Sequence, residues 1–232
     1  MKTKTQSSAA KSLRRYAVNS PGQSVLLWLM VLCIGIETAL TAADLGLWGT
    51  SYWRGLAYDY AAYHATLLHG LPGNYPGQAL LMHLSYSFLH GGMLHMGLNM
   101  IALASFGAAI VARVGPKRFL LAYFLTAIVG GLFFGILSKG PSPMVGASGA
   151  LFGLVGVWIC WDYLDRRHYG EGLGSIYRAV AYLAFYNVAF WFLLSGHLAW
   201  ETHLGGFVAG WLLALYWGRP VYRRRNLTRS DP

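Results

Sequence analysis

Apolar side chains run through the chain in six long stretches separated by more polar segments, at residues 25–43, 85–111, 119–137, 146–161, 180–194 and 203–217. A helix crossing a bilayer needs about 20 mainly apolar residues. Lipid admits only elements whose backbone polar groups are satisfied internally. The pattern therefore predicts an all-α integral membrane protein, a bundle of six transmembrane helices. The first stretch is not read as a cleaved signal peptide. Its apolar part is too long, and no small-x-small cleavage site followed by a soluble domain comes after it. With no internal repeat or low-complexity tract, the sequence divides into a tail at 1–24, one bundle at 25–218 with a long outer loop at 44–84, and a second tail at 219–232.

Charge sets the orientation. Of the eighteen Lys and Arg residues, sixteen fall in the two tails and in the connections after the second and fourth stretches, and only Arg54 and Lys139 fall on the other side. Basic residues mark the cytoplasmic side, so both termini are expected in the cytoplasm. The same count accounts for the net charge of +10 without an acidic partner. Composition agrees, since 56% of residues are hydrophobic and 11% charged, against about 25% charged in soluble domains. That excludes a disordered chain, a nucleic-acid-binding module and a disulfide scaffold. The partners expected are the lipid bilayer and other membrane proteins, not nucleic acid. Cys33 and Cys160 sit in apolar runs and read as small buried hydrophobes, so no metal and no cofactor is expected. The 44–84 loop holds Trp48, Tyr52, Trp53, Tyr58, Tyr60 and Tyr63, rings suited to the membrane interface.

Polar side chains within the stretches change the picture, because ionisable groups at membrane depth mark function. The second stretch carries His90, His95 and Asn99, the fourth opens on Gly146-Ala-Ser148-Gly149, and the sixth opens on His203. Counted from the cytoplasmic ends at about 1.5 Å per residue, Asn99, Ser148 and His203 all lie roughly 21–24 Å up. Gly149 and Gly153 on one helix, with Gly206 and Gly210 on another, form stripes that let backbones approach closely. Ser148 and His203 are thereby expected within hydrogen-bond reach. A serine hydroxyl needs an adjacent base to become a nucleophile. His203 is the candidate, with no acidic residue placed to orient it, so the reading is a two-residue dyad. Phe152, one turn below Ser148, holds the imidazole by ring packing. His95, Asn99 and the Ser148 backbone N–H are candidate donors to an oxyanion. Each residue also has a plainer reading. Serine among glycines often serves packing, and His90, His95 and Asn99 could be inter-helix glue or a metal or proton site.

These motifs resemble the rhomboid intramembrane serine proteases over about residues 84–218. The resemblance rests on His90…His95…Asn99, Gly146-x-Ser148-Gly149, and His203 with its following glycines. It implies a rhomboid-like bundle with Ser148 as nucleophile, His203 as base, and His95, Asn99 and Ser148 as the oxyanion hole. It also implies motif roles for His90, Gly146 and Gly149, substrates that are single-span membrane proteins cut near the outer leaflet, and residence in a bacterial plasma membrane. Phe152 stands where the family often has tyrosine. The family's Trp-Arg pair is displaced, with Leu81-Met82 in its usual place and Trp53-Arg54 far upstream, so the first loop is expected to be rearranged. A non-catalytic relative that binds membrane clients, and a small transporter or proton channel using the histidines and Glu37, are the competing readings.

Overall fold

The computed structural model describes residues 21–138 and 140–218; the two tails and Lys139 lie outside the described residues. Every element is helical. They are α1 (Pro21–Asp44), α2 (Tyr52–Ala61), α3 (Ala65–Leu68), α4 (Gln78–Ser85), α5 (Met93–Ala102), α6 (Ala108–Val114), α7 (Pro116–Leu137), α8 (Ser148–Tyr169), α9 (Gly174–Leu193) and α10 (Trp200–Trp217). A π-helical turn at Leu103–Gly107 joins α5 to α6 in one continuous rod. Four helical segments among the described residues are long and apolar enough to cross a membrane: α1, α5 with α6, α7 and α9. The other two apolar stretches, α8 and α10, do not reach that apolarity. Their lower apolarity comes from polar and charged residues within them, Asp162 and Asp165 on α8 and Glu201, Thr202 and His203 on α10. Together with α7 they form the most closely packed trio of the bundle.

Glycine decides how close this trio comes. A Cβ on Gly206 would collide with the Gly149 carbonyl, one on Gly210 with the Gly153 carbonyl, and one on Gly156 with the Phe207 carbonyl. The α8 and α10 backbones thus touch directly, as small-residue stripes allow. By contrast α9 buries only Ile176 fully.

The helix of the fifth stretch starts earlier than expected, at Gly174, and that of the fourth runs on to Tyr169, while two helices start later than expected. The second stretch was expected helical from residue 85, but its spanning helix begins at Met93. Residues 89–92 form a non-helical turn because Leu89 is extended and Gly92 takes φ +121°. His90 therefore lies on this turn rather than on a helix. The fourth stretch was expected from Gly146, but helix starts at Ser148, since Gly146 has φ +132°. The Gly- and Pro-rich segment before it is held by the first outer loop. Tyr63 and Met144 exchange backbone hydrogen bonds at 2.9 Å each, and the Gly146 N–H donates to the Tyr86 carbonyl at 3.0 Å. The loop itself is folded, with α2 tied to α1 through an ion pair between Arg54 and the fully buried Glu37.

Candidate active site

Ser148 is the first residue of α8 and His203 the fourth of α10. The glycine contacts between these helices bring the two side chains together. Ser148 Oγ and His203 Nε2 are 2.8 Å apart. Phe152, one turn along α8, lies flat on the imidazole with ring centroids 4.1 Å apart and planes at 7°. On its other nitrogen, His203 meets Asn187, to which no motif or spacing in the sequence points. Nδ1 lies 2.6 Å from Asn187 Oδ1.

That contact fixes the proton. Asn187 Nδ2 donates to the Leu183 carbonyl at 2.9 Å, and only nitrogen of an amide can donate, so Oδ1 faces the histidine. An amide oxygen only accepts, so the neutral His203 carries its hydrogen on Nδ1 and presents a bare Nε2 to the serine hydroxyl. A serine, a histidine and an asparagine thus stand in line, one residue more than the two expected. The signal available in the sequence was a lone amide in an aromatic run, Phe185-Tyr-Asn187-Val.

The α5 residues approach from the other side. His95 Nδ1 accepts from the Gly91 N–H at 3.2 Å, which leaves its proton on Nε2. That edge lies against Gly146, two residues before the serine. A Cβ built on Gly146 would stand 2.9 Å from His95 Cε1, 3.0 Å from Nε2 and 3.7 Å from Ser148 Oγ. Gly146 is thus demanded twice, by its φ and by the ring against it. Asn99 is buried beside this group and uses Nδ2 on the His95 carbonyl at 2.9 Å. Gly149 backs the serine against α10, where a Cβ would meet the Thr202 and Tyr86 side chains. His90 is fully buried, stands edge-on to His95 at 5.3 Å, and has no hydrogen-bond partner on either ring nitrogen.

The start of α8 adds a field. The first amides of a helix have no intrahelical acceptor and point outward with a partial positive charge. Its N-cap residue is Ala147, with no capping side-chain hydrogen bond, so the cap leaves those amides unused. Serine, oriented base and convergent donors together can carry out acyl transfer. Among the described residues no group of three or more His, Cys, Asp or Glu side chains is placed to hold a metal.

The Rhomboid domain family model matches residues 78–220, more than half of the chain. The protein belongs to the rhomboid family. The match spans every side chain of the site. Among similar proteins, Rhomboid protease GluP of Bacillus subtilis is 32% identical over 132 residues, covering 57% of this chain and 25% of that protein. Rhomboid-like protease 3 of Toxoplasma gondii is 37% identical over 142 residues, covering 58% and 50% respectively. Rhomboid protein 1, mitochondrial, of Saccharomyces cerevisiae is 35% identical over 154 residues, covering 60% and 42%. The chain spans half or less of the length of these relatives. Family membership and the apolar helices make this rhomboid an integral multi-pass membrane protein.

Proposed function

We propose that this rhomboid is an intramembrane serine endopeptidase that cuts single-span membrane proteins near the outer end of their spans. The observation that carries the reading is the Ser148–His203 hydrogen bond, with the base held in the accepting tautomer by Asn187. His203 Nε2 takes the Ser148 proton as Oγ attacks the scissile carbonyl. The new oxyanion is met by the Ser148 N–H, His95 Nε2–H and the Asn99 amide. His203 then returns the proton to the leaving amine, and water hydrolyses the acyl-serine with His203 again as base. His90, Gly146, Gly149 and Phe152 shape this site without reacting. No cofactor or metal enters the scheme.

The architecture proposed with it has six spans, formed by α1, α5 with α6, α7, α8, α9 and α10. The bundle occupies 25–218, and both basic tails, 1–24 and 219–232, lie in the cytoplasm, as the positive charge asymmetry supports. The membrane proposed is a bacterial plasma membrane. The test is labelling of the purified chain with a fluorophosphonate, alongside cleavage of a single-span substrate. Labelling at Ser148 that disappears in His203→Ala, with cleavage lost by about 10⁴-fold or more in Ser148→Ala and in His203→Ala, is the result expected. Cleavage by Ser148→Ala at an appreciable fraction of the wild-type rate overturns the reading.

A further inference from the structure

Arg54 and Glu37 have no part in the acyl-transfer scheme, yet a line of hydrogen bonds leads from them to it. Glu37 accepts from Arg54 Nη2 at 2.8 Å and Nη1 at 3.2 Å, and from Thr41 Oγ1 at 2.9 Å. Arg54 Nε donates to Asp44 at 2.6 Å. Held between two carboxylates, the guanidinium has its pKa raised, chiefly by the Glu37 hydrogen bond. Its Nη1 also donates to the His90 carbonyl at 3.1 Å, where the Tyr58 hydroxyl donates at 2.8 Å. That carbonyl and the Gly91 N–H belong to one peptide unit, and the Gly91 N–H is the donor to His95 Nδ1.

A peptide unit is planar and trans, so fixing its oxygen fixes its N–H on the opposite side. Two donors on the oxygen, one of them cationic, also polarise the unit and strengthen the N–H as a donor. Without them the peptide is free to turn over, because the Gly91-Gly92 pair adopts either sign of φ at little cost. A turned peptide would offer its carbonyl to Nδ1. His95 would then move its proton to Nδ1 and carry a lone pair, not a hydrogen, on Nε2.

We infer that Arg54, anchored by Glu37 and assisted by Tyr58, is a positioning residue that locks the His90–Gly91 peptide and so keeps the His95 proton on Nε2, the nitrogen lying against Gly146 beside Ser148. The use of that proton rests on the protease reading; the tautomer itself can be read without any cleavage. The competing role is a plain staple holding α2 to α1.

The test combines spectroscopy and kinetics on the full chain. With ¹⁵N-histidine label in lipid nanodiscs at alkaline pH, His95 is assigned by its loss in His95→Gln. The wild type is expected to show the Nε2–H tautomer. Arg54→Gln shifts His95 toward Nδ1–H, and Tyr58→Phe does so to a smaller extent while leaving the ion pair intact. Arg54→Gln lowers kcat about tenfold or more with KM unchanged, bounded by the ~10²–10³-fold loss expected for removing an oxyanion donor. In a His95→Ala background the same substitution has no further effect, because its path runs through His95. A wild-type Nδ1–H tautomer, or a tautomer indifferent to both substitutions, overturns the inference. So does an equal kcat loss with and without His95, the behaviour of a staple. Where Arg54→Gln does not fold, Tyr58→Phe decides. A tautomer that responds while Ser148→Ala still cleaves leaves the relay standing and removes the protease reading instead.

Discussion

At the scale of single residues, an inconspicuous polar side chain sets the state of the base. Asn187 offers one amide in a lipid-facing aromatic helix, and it sets which nitrogen of His203 bears a hydrogen. Replacing it with leucine removes the acceptor while keeping much of the volume. A buried hydrogen bond lost with its partner left unsatisfied costs about 1–3 kcal/mol. Asn187→Leu is therefore expected to lower kcat by about 10–100-fold with little change in KM. Steady-state cleavage of a single-span substrate checks this, and a wild-type kcat would make the contact incidental.

At the scale of elements, the site depends on the distance between α8 and α10. Their separation is set by glycines whose missing side chains leave room only for the opposing carbonyls. Backbone atoms cannot rotate aside as a side chain does, so a methyl there must push the helices apart. Gly210→Val is expected to destabilise the chain by more than the 1–3 kcal/mol typical of core overpacking, and to lose fluorophosphonate labelling of Ser148 as the dyad separates. Gly35 on α1 provides the contrast, since a Cβ there meets nothing within 4 Å. Gly35→Ala should leave the melting temperature unchanged or slightly higher, in line with the lower unfolded-state entropy of alanine. Thermal unfolding of both variants in one detergent makes the comparison.

On the scale of the whole molecule, the proposed site lies where several helices end together. Ser148 opens α8, His203 lies in the first turn of α10, and His95 lies in the first turn of α5. Under the proposed topology that end is roughly 6–9 Å below the outer edge of the hydrocarbon, taking 1.5 Å per residue and a 30 Å core. A substrate helix has its carbonyls hydrogen-bonded internally, so its scissile segment must unwind first. Unwound backbone is tolerated at that depth only in a protein-lined or watery cavity. Cleavable spans are thus expected to carry Gly or Pro near their outer end, with small residues at the cut. Replacing those residues with Leu in a verified substrate should slow cleavage at least tenfold, read by mass spectrometry of products. Equal cleavage, or a cut in the cytoplasmic half, would contradict the proposed depth and orientation.

The periodic and compositional features were legible in the sequence because they are local. Apolar runs mark helices by length, and the serine, histidine and glycine motifs stand out against lipid-compatible surroundings. Two helices start late for a local reason that the apolar pattern hides. Gly92 and Gly146 take positive φ and stop the helix where hydrophobicity continues. Helix packing alone decided the rest. Asn187 acquires its meaning only when α9 lies against α10, and Glu37 and Arg54 acquire theirs only when the first outer loop folds back over α1. Those pairings join residues 16, 17 and 36 positions apart, and hydrogen bonds at such separation depend on three-dimensional approach rather than on any spacing along the chain.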